Sequence, residues 1–392
     1  MTSFFFASTP HIHFGSGARS KLPEIIRSYG KKVLLVTGAK SFDASEICQE
    51  TFSALQQEFD IHRIQISGEP SPEIVDGAVA EYKNFSPDCV VALGGGSVVD
   101  AAKAIAGLLP TGDSVMLYLE GVGHGKIYLG PSAPFIALPT TAGTGGETSK
   151  NAVLSEVGDD GFKKSFRHEK LVAKHIILDA ELTLSCPKAV TAACGMDAFT
   201  QLLESYVSTN ANLMTDALAI SGMESVRDSL ITAVDDGESL RAREGMLYAS
   251  SMSGLTLANA GLGSVHGLAS PLGAFFPMPH GQVCGTLLHE ATDLNIRAMR
   301  EREPDNLALL KYAAIGRLFS QNSELSDDDA QLVLLHLLKQ WTEHLAMPPL
   351  SLYGVKRTDF DRIIDNISGG SMATNPIVLT RQEITDLLSA RL

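Results

Sequence analysis

Residues 89–107 read CVVALGGGSVVDAAKAIAG, an apolar run that stops at a glycine-rich turn and continues with apolar residues at helical spacing. The run before the turn has the length and composition of a buried strand. Gly94, Gly95 and Gly96, followed by Ser97, let the backbone approach a ligand closely, and the free N–H groups of the next helix can bind a phosphate. An ordinary flexible turn could use the same residues, because the pattern is not the GxGxxG fingerprint. The loop alone therefore leaves dinucleotide binding and a plain turn as two interpretations.

The rest of the first half repeats this alternation of strand and helix. Short runs rich in β-branched residues occur at residues 31–38, 62–68 and 135–143, and the segment PEIVDGAVAEYKNF has apolar residues at helical spacing. Such an alternation predicts a parallel sheet whose two faces are covered by helices.

The second half carries long helical patterns, because the strand signals stop after about Pro187. In SDDDAQLVLLHLLKQWTEHLAM, Ser326 can cap a helix, and the acidic residues that follow suit the positive end of the helix dipole. We predict an α/β domain with a parallel sheet over residues 1–186 and an all-α domain over residues 187–392. The cleft between the two domains would be the natural ligand site.

A second glycine-rich loop, PTTAGTGGE at residues 139–147, also follows an apolar strand. The hydroxyls of Thr140, Thr141 and Thr144 can donate to phosphate, ribose or carboxamide oxygens. A polar surface loop is the alternative interpretation. Two such turns at the carboxyl ends of parallel strands favour a ligand site, because open α/β sheets bind their ligands at that edge.

Residues able to bind a metal lie in the helical half. Asp197 and Gln201 are four residues apart in GMDAFTQLLESYVS, where a helix starting near Gly195 would place them on one face. His266 and His280 lie in GLGSVHGLASPLGAFFPMPHGQ, a stretch almost free of charge. A divalent cation would accept two imidazoles together with a carboxylate. The alternative for each histidine is an ordinary core or capping role.

Composition excludes several classes of partner. The net charge is -14 and no block of lysine and arginine occurs, so nucleic acid is not an expected partner. The opening MTSFFFAS lacks a basic region, and no apolar stretch reaches the ~20 residues of a membrane span. Five scattered cysteines without a CxxC pair suit the reducing cytoplasm, with Cys194 and Cys284 near the motifs but interpreted as packed thiols.

Taken together, these segments resemble the iron-containing (group III) alcohol dehydrogenase family. The matching motifs are PHIHFGSGA, GGGSVVDAAKA, PTTAGTGGE, DAELTLSCP, GMDAFTQLLE and GLGSVHGLASPLGAFFPMPHG, in the family's order and spacing. The resemblance implies an N-terminal Rossmann-like domain for NAD or NADP and a C-terminal helical domain for a divalent metal, Fe²⁺ or Zn²⁺. The coenzyme residues that the resemblance implies are Gly94, Gly95, Gly96, Ser97, Asp100, Thr140, Thr141, Thr144, Lys163 and Leu182. Among them, Lys163 is directly followed by Lys164.

The chain departs from the family pattern at three positions. The family's metal is held by one Asp and three His, and Gln201 stands where the fourth ligand would be a histidine, which predicts weaker metal binding. Ser270 replaces a histidine that is thought to relay the proton. Gly38 stands where NAD-preferring members often carry an acidic residue, so both NAD and NADP remain candidates.

The predicted function is a metal-dependent alcohol dehydrogenase or aldehyde reductase that transfers hydride between a small alcohol and NAD(P). Asp197, His266 and His280 are the predicted catalytic residues, because they hold the metal, and Gln201 is the candidate fourth ligand. We expect a homo-oligomer. Asn151 and Phe275 are candidates for the substrate pocket, together with Phe276 and Met278, although core packing would explain the last three equally well.

Three other functions compete with this one. A metal-independent reductase similar to the maleylacetate reductases is favoured by Gln201 and Ser270. A lyase similar to dehydroquinate synthase would need a basic cluster for substrate phosphate near the metal, and GLGSVHGLASPLGAFFPMPHG contains none. A non-enzymatic nucleotide-binding protein comes last, because three metal ligands and both coenzyme loops are intact.

Overall fold

The computed structural model describes residues 3–367 and 369–392. The first two residues of MTSFFFAS therefore lie outside the described part. The strands are β1 (His11–Phe14), β2 (Lys32–Gly38), β3 (Asp60–Ile66), β4 (Cys89–Gly94), β5 (Phe135–Pro139), β6 (Asn151–Glu156), β7 (Phe162–Arg167) and β8 (His175–Leu178). The helices are α1 (Leu22–Arg27), α2 (Glu46–Gln56), α3 (Pro72–Tyr82), α4 (Gly96–Leu108), α5 (Lys188–Val207), α6 (Leu213–Asp235), α7 (Leu240–Ala260), α8 (Ser264–Phe275), α9 (His280–Arg302), α10 (Leu307–Ser320), α11 (Asp327–His344), α12 (Phe360–Asp365), α13 (Gly369–Met372) and α14 (Arg381–Ala390).

Six parallel strands form one sheet in the order β1-β8-β5-β4-β2-β3. The central strands β4 and β5 are buried at every position, which agrees with their continuous apolar sequences. The strand order reverses between β2 and β4, and doubly wound sheets bind ligands outside the carboxyl ends of the strands at such a point. In the register of β4 and β5, Gly94 lies beside Pro139, so the two glycine-rich loops leave the sheet side by side.

Helices cover both faces of this sheet, as predicted. One apolar cluster combines β2, β4 and β5 with α3 and α4, and a second combines the opposite face of the same strands with α1 and α2. A third cluster fills the helical half and is built mainly from α5 to α11. The predicted α/β half followed by a helical half is confirmed.

The antiparallel hairpin of β6 and β7 was not expected from the sequence. Strand β6 packs against α4 and strand β7 packs against α8, so the hairpin contacts both halves of the chain. The boundary at residues 186 and 187 falls in the loop between β8 and α5 and stays a prediction.

The helical half differs from expectation at one boundary. Helix α5 begins at Lys188 and not near Gly195, because Pro187 precedes its first turn and the residues between fit the helix. Ser326 caps α11 as expected, since its side chain accepts from the Asp329 N–H. Within the described residues, no helix combines the length and the apolar content that crossing a bilayer requires.

Candidate metal and coenzyme site

Helix α5 presents three polar side chains on one face. Asp197, Gln201 and Glu204 follow one another at i, i+4 and i+7, and all three are buried in the helical half. Leu202, Leu203 and their apolar neighbours anchor the rest of the helix in the core. Buried polar side chains of this kind need partners, and for Asp197 and Glu204 those partners come from α8 and α9.

Two histidines meet Asp197 from different helices. His266 lies in the first turn of α8, and its Nε2 is 3.2 Å from Asp197 Oδ1. His280 is the first residue of α9, and its Nε2 is 3.6 Å from the same carboxylate oxygen. The structure thus brings together the carboxylate and both imidazoles that the sequence singled out.

Glu204 orients the first of these histidines. Its Oε2 lies 2.6 Å from His266 Nδ1, and its Oε1 accepts the Val265 N–H at 2.7 Å. With Nδ1 held by this carboxylate, the Nε2 edge of the ring faces Asp197, which is the ring orientation that metal-binding histidines commonly have. Sequence reasoning missed Glu204, although its place on the face of Asp197 and Gln201 was readable from the helical spacing.

A thiol completes the cluster. Cys284 Sγ lies 3.6 Å from His266 Nε2 and 3.8 Å from His280 Nε2. One potential ligand atom from each of Asp197, His266, His280 and Cys284 lies within 4.8 Å of the others. The sequence analysis interpreted Cys284 as a packed thiol, and the available signal was its i, i+4 spacing from His280 on one helix.

The protonation of the cluster suits a cation. Burial lowers the pKa of His280 to about 4, so its imidazole is neutral near pH 7. Burial raises the pKa of Asp197, but His280 and His266 outweigh this effect, so the carboxyl pKa lies below its ordinary value. Burial also lowers the pKa of His266, yet Cys284, Glu204 and Asp197 together raise it well above its ordinary value. A metal would replace the proton that these neighbours attract to His266.

The donor set fits a divalent metal. A carboxylate, two imidazoles and a thiol are ligands that borderline metals accept. Among the described residues, the buried atoms without a hydrogen-bond partner include Gln201 Oε1 and His280 Nδ1. The Gln201 oxygen is an acceptor without a donor on the same helix face as Asp197, which agrees with a cation in this region.

The two glycine-rich loops contact each other at the edge of the sheet. A Cβ built on Gly95 would lie 3.3 Å from the Thr141 side chain, and one on Gly96 would lie 3.3 Å from Thr144 Oγ1. Gly95 caps α4 without any side-chain hydrogen bond, so the first N–H groups of α4 are not satisfied by a capping side chain. Ser97 and Thr140 adjoin these residues in the chain and, like Thr141 and Thr144, are partly exposed.

Lys103, which the sequence analysis did not single out, connects α4, the helix after the first loop, to the second loop and the start of β6. It lies on α4 without exposed surface, and its Nζ donates to the carbonyls of Gly146 at 2.5 Å, Asn151 at 2.7 Å and Ser149 at 2.8 Å. Asp100 lies one turn earlier on α4, and burial raises its pKa to about 7. The helix that follows the first loop therefore also shapes the second.

Lys163 lies between the glycine-rich loops and the cluster of Asp197, His266, His280 and Cys284, because its charge acts on both Asp100 and His280. Its Nζ is 3.2 Å from Glu69 Oε2. The positive charge of Lys163 opposes the rise in the pKa of Asp100 that burial causes, and it adds to the lowering of the pKa of His280. Ser270 Oγ donates to the Lys163 carbonyl at 3.1 Å, so this hydroxyl ties α8 to β7.

The remaining predicted residues lie in the apolar clusters or at the ends of strands. Leu182 packs in the apolar cluster that contains Leu93 and Leu138, the last apolar residues before the two loops. Phe275 and Phe276 pack at the edge of the helical core, and Met278 lies inside it. The Arg362 guanidinium lies 3.9 Å from the Phe275 ring centre. Asn151 begins β6.

A Cβ on Gly38 would meet Ser41 Oγ at 2.5 Å, so an acidic side chain there would require Ser41 to move.

Family models match both halves of the chain. The model described as "Iron-containing alcohol dehydrogenase" matches residues 9–180, and the one described as "Fe-containing alcohol dehydrogenase family, C-terminal" matches residues 191–392. A solved structure of 1,3-propanediol oxidoreductase superposes with a TM-score of 0.89 at 30% identity, over 100% of both chains.

Two curated relatives are similar in sequence. Long-chain-alcohol dehydrogenase 1 of Geobacillus thermodenitrificans is 37% identical over 386 residues, which are 97% of this chain and 95% of that protein. The "Probable alcohol dehydrogenase EutG" of Salmonella typhimurium is 39% identical over 273 residues, which are 70% of this chain. That match spans 65% of EutG, slightly less than two thirds of its length.

The matching family models and relatives are described as alcohol dehydrogenases or alcohol oxidoreductases, the enzyme class that the sequence predicted. They do not favour the metal-independent reductase or the lyase. With both halves matched and the loops and ligand cluster in place, the chain belongs to the iron-containing alcohol dehydrogenase family.

Proposed function

We propose that this chain transfers hydride between a small alcohol or aldehyde and NAD or NADP, with a divalent metal, Fe²⁺ in the first instance, held by Asp197, His266 and His280. The observation that carries the proposal is the convergence of these side chains from three helices on one buried point. When bound, the metal supplies a Lewis acid that polarises the substrate oxygen.

The protein residues prepare this site in several ways. Glu204 holds the His266 ring with Nε2 directed at the cluster, so the imidazole does not need to reorient when a cation enters. Because burial lowers its pKa to about 4, His280 is neutral near pH 7, and the neutral imidazole is the form that binds metals. Gln201 is retained as a further, weak oxygen donor, which its unpartnered Oε1 supports.

The coenzyme binds across the two glycine-rich loops. The small residues Gly94, Gly95 and Gly96 admit the pyrophosphate to the N-terminus of α4, where Ser97 and the free N–H groups can donate. Thr140, Thr141 and Thr144 supply hydroxyl donors from the neighbouring loop. Asp100, Lys163 and Leu182 complete the coenzyme residues.

For the substrate we assign Asn151 and Phe275 to the pocket, together with Phe276 and Met278. The Ser270 hydroxyl donates to a backbone carbonyl, so a proton relay through this position has no support in the structure. Proton exchange must use another group or water.

The location and assembly of the protein are also part of this proposal. All five cysteines are unpaired, which supports a reducing compartment such as the cytoplasm.

The edge strand β1 and the residues before it expose three large apolar side chains, Phe5, Ile12 and Phe14. This exposed apolar surface supports a homo-oligomer. Light scattering coupled to size exclusion would measure the number of subunits.

Removal of single ligands tests the function. Asp197→Ala and His280→Ala should each lose the metal and the alcohol oxidation, while coenzyme affinity stays within about threefold of the wild type because the coenzyme loops lie elsewhere. Elemental analysis and absorbance at the nicotinamide band are the measurements. His289→Ala, on the same helix but paired with Glu290 outside the cluster, is the matched control and should keep both metal and activity. Full activity of metal-free protein would refute the proposal in favour of the metal-independent reductase.

A further inference from the structure

We propose that the Cys284 thiolate is the fourth protein ligand of the metal and takes the chemical place of the histidine that Gln201 replaces. The inference rests on the proposed function, because it assumes that a metal binds between Asp197, His266 and His280. It assigns a role to a thiol that the sequence motifs leave unexplained.

The distances between the four side chains are those of a coordination shell. With bonds of about 2.0–2.1 Å to nitrogen and oxygen and about 2.3 Å to sulfur, a tetrahedral site separates nitrogen from oxygen by about 3.3 Å and nitrogen from sulfur by about 3.6 Å. Asp197 Oδ1 lies 3.2 and 3.6 Å from the two imidazole nitrogens. Cys284 Sγ lies 3.6 and 3.8 Å from the same two nitrogens.

The surroundings of Cys284 are unusual for a packed thiol. A buried cysteine usually behaves as a small apolar residue, but this sulfur faces two imidazole nitrogens and lies within 4.8 Å of a carboxylate oxygen. His280 and Cys284 occupy successive turns of α9, so one helix presents both donors on the same face.

The chemistry of the donor favours sulfur over the amide. Gln201 is neutral, and an amide oxygen is a poor ligand for borderline metals, whereas a thiolate is a strong one. With Asp197 and a thiolate, the protein places two negative charges on the cation, where one Asp and three neutral His would place one. A thiolate also favours zinc over iron relative to a site made only of nitrogen and oxygen. The loss of the histidine is thus compensated within the same cluster by a softer ligand.

Cobalt substitution tests this ligand directly. Co²⁺ bound to the wild type should show visible d–d bands, which report the occupied site, and a near-ultraviolet charge-transfer band, which reports a thiolate ligand. Cys284→Ser should lose the charge-transfer band and keep the d–d bands, and its affinity for zinc relative to iron should fall by about tenfold or more. Cys194→Ser, which removes the thiol nearest to Asp197 in the sequence, should keep both sets of bands.

The outcomes separate the two proposals. Visible bands without a charge-transfer band in the wild type, or a charge-transfer band that survives in Cys284→Ser, would overturn the thiolate ligand and leave the proposed function intact. A wild type that binds neither cobalt nor any other divalent metal would overturn the proposed function, and this inference with it.

A measurement on the wild type covers the case in which Cys284→Ser does not fold. X-ray absorption of the zinc-loaded enzyme should contain one sulfur scatterer at about 2.3 Å. A first shell of nitrogen and oxygen alone would overturn the thiolate ligand.

Discussion

Lys103→Met exchanges an ammonium group for a thioether of similar length at a position without exposed surface. In the wild type, Nζ donates to the carbonyls of Gly146, Ser149 and Asn151. Methionine cannot donate, so all three carbonyls lose this partner, and the nearby Asp100 loses the cation that lowers its pKa.

The expected loss of stability is large. A buried acceptor left without its donor costs about 1–3 kcal/mol, and here three carbonyls lose the same ammonium group. These costs do not add fully, because the loop can move and water can reach some of the carbonyls. We therefore expect the free energy of unfolding to fall by about 3–5 kcal/mol. The second coenzyme loop should also lose its position, with coenzyme affinity reduced at least tenfold, or about 1.4 kcal/mol.

Urea-induced unfolding followed by circular dichroism measures the first effect, and titration of coenzyme fluorescence measures the second. Lys31→Met is the control, because the Lys31 side chain is 64% exposed and its replacement should change stability by about 0.5 kcal/mol or less. A stability loss below about 1 kcal/mol with unchanged coenzyme affinity would refute the idea that Lys103 supports the loop.

Three further substitutions test the remaining assignments. Glu204→Gln keeps the side-chain shape but removes the carboxylate from His266, so metal loss to a chelator should be about 10–100-fold faster; equal rates would mean that Glu204 does not support the ligand. Gly95→Val places a branched side chain against Thr141 and in the path of the pyrophosphate, so coenzyme affinity should fall at least tenfold with an unchanged circular dichroism spectrum; wild-type affinity would place the coenzyme elsewhere. If Gln201 is a weak donor, chelator resistance should rise in Gln201→His and fall in Gln201→Leu, whereas equal times for all three proteins would remove Gln201 from the site.

Much of the fold could be predicted from the sequence, because its central strands are strongly apolar. The runs at residues 31–38, 89–97 and 135–143 correspond to strands that are buried on both faces, where composition alone carries the signal. The hairpin of β6 and β7 escaped prediction because residues 162–167 read FKKSFR, a half-exposed strand without a continuous apolar run. The short edge strand β1, with its exposed residues, gave an equally weak signal.

The candidate site likewise contains residues that the sequence pointed to and residues that only the structure revealed. Asp197, His266 and His280 could be proposed as ligands from the sequence, since each belongs to a recognisable family motif, and the structure brings their side chains together. The roles of Glu204 and Cys284 could not be assigned in the same way, because Glu204 closes the motif GMDAFTQLLE without a stated role, Cys284 lies outside the motifs, and both acquire their roles from neighbours on other helices.

The sequence by itself determined the alternation of strand and helix, the helical second half, the family and the residue types of both loops, because these depend on local composition, periodicity and motif spacing. Only the tertiary structure decided which side chains share a buried space. Helices α5, α8 and α9 are far apart in the chain, and their packing brings a carboxylate, two imidazoles and a thiol within 4.8 Å. The same packing places the Lys103 ammonium beneath a loop more than 40 residues away. Such contacts depend on how whole elements pack against one another, and no local pattern around either residue specifies that packing.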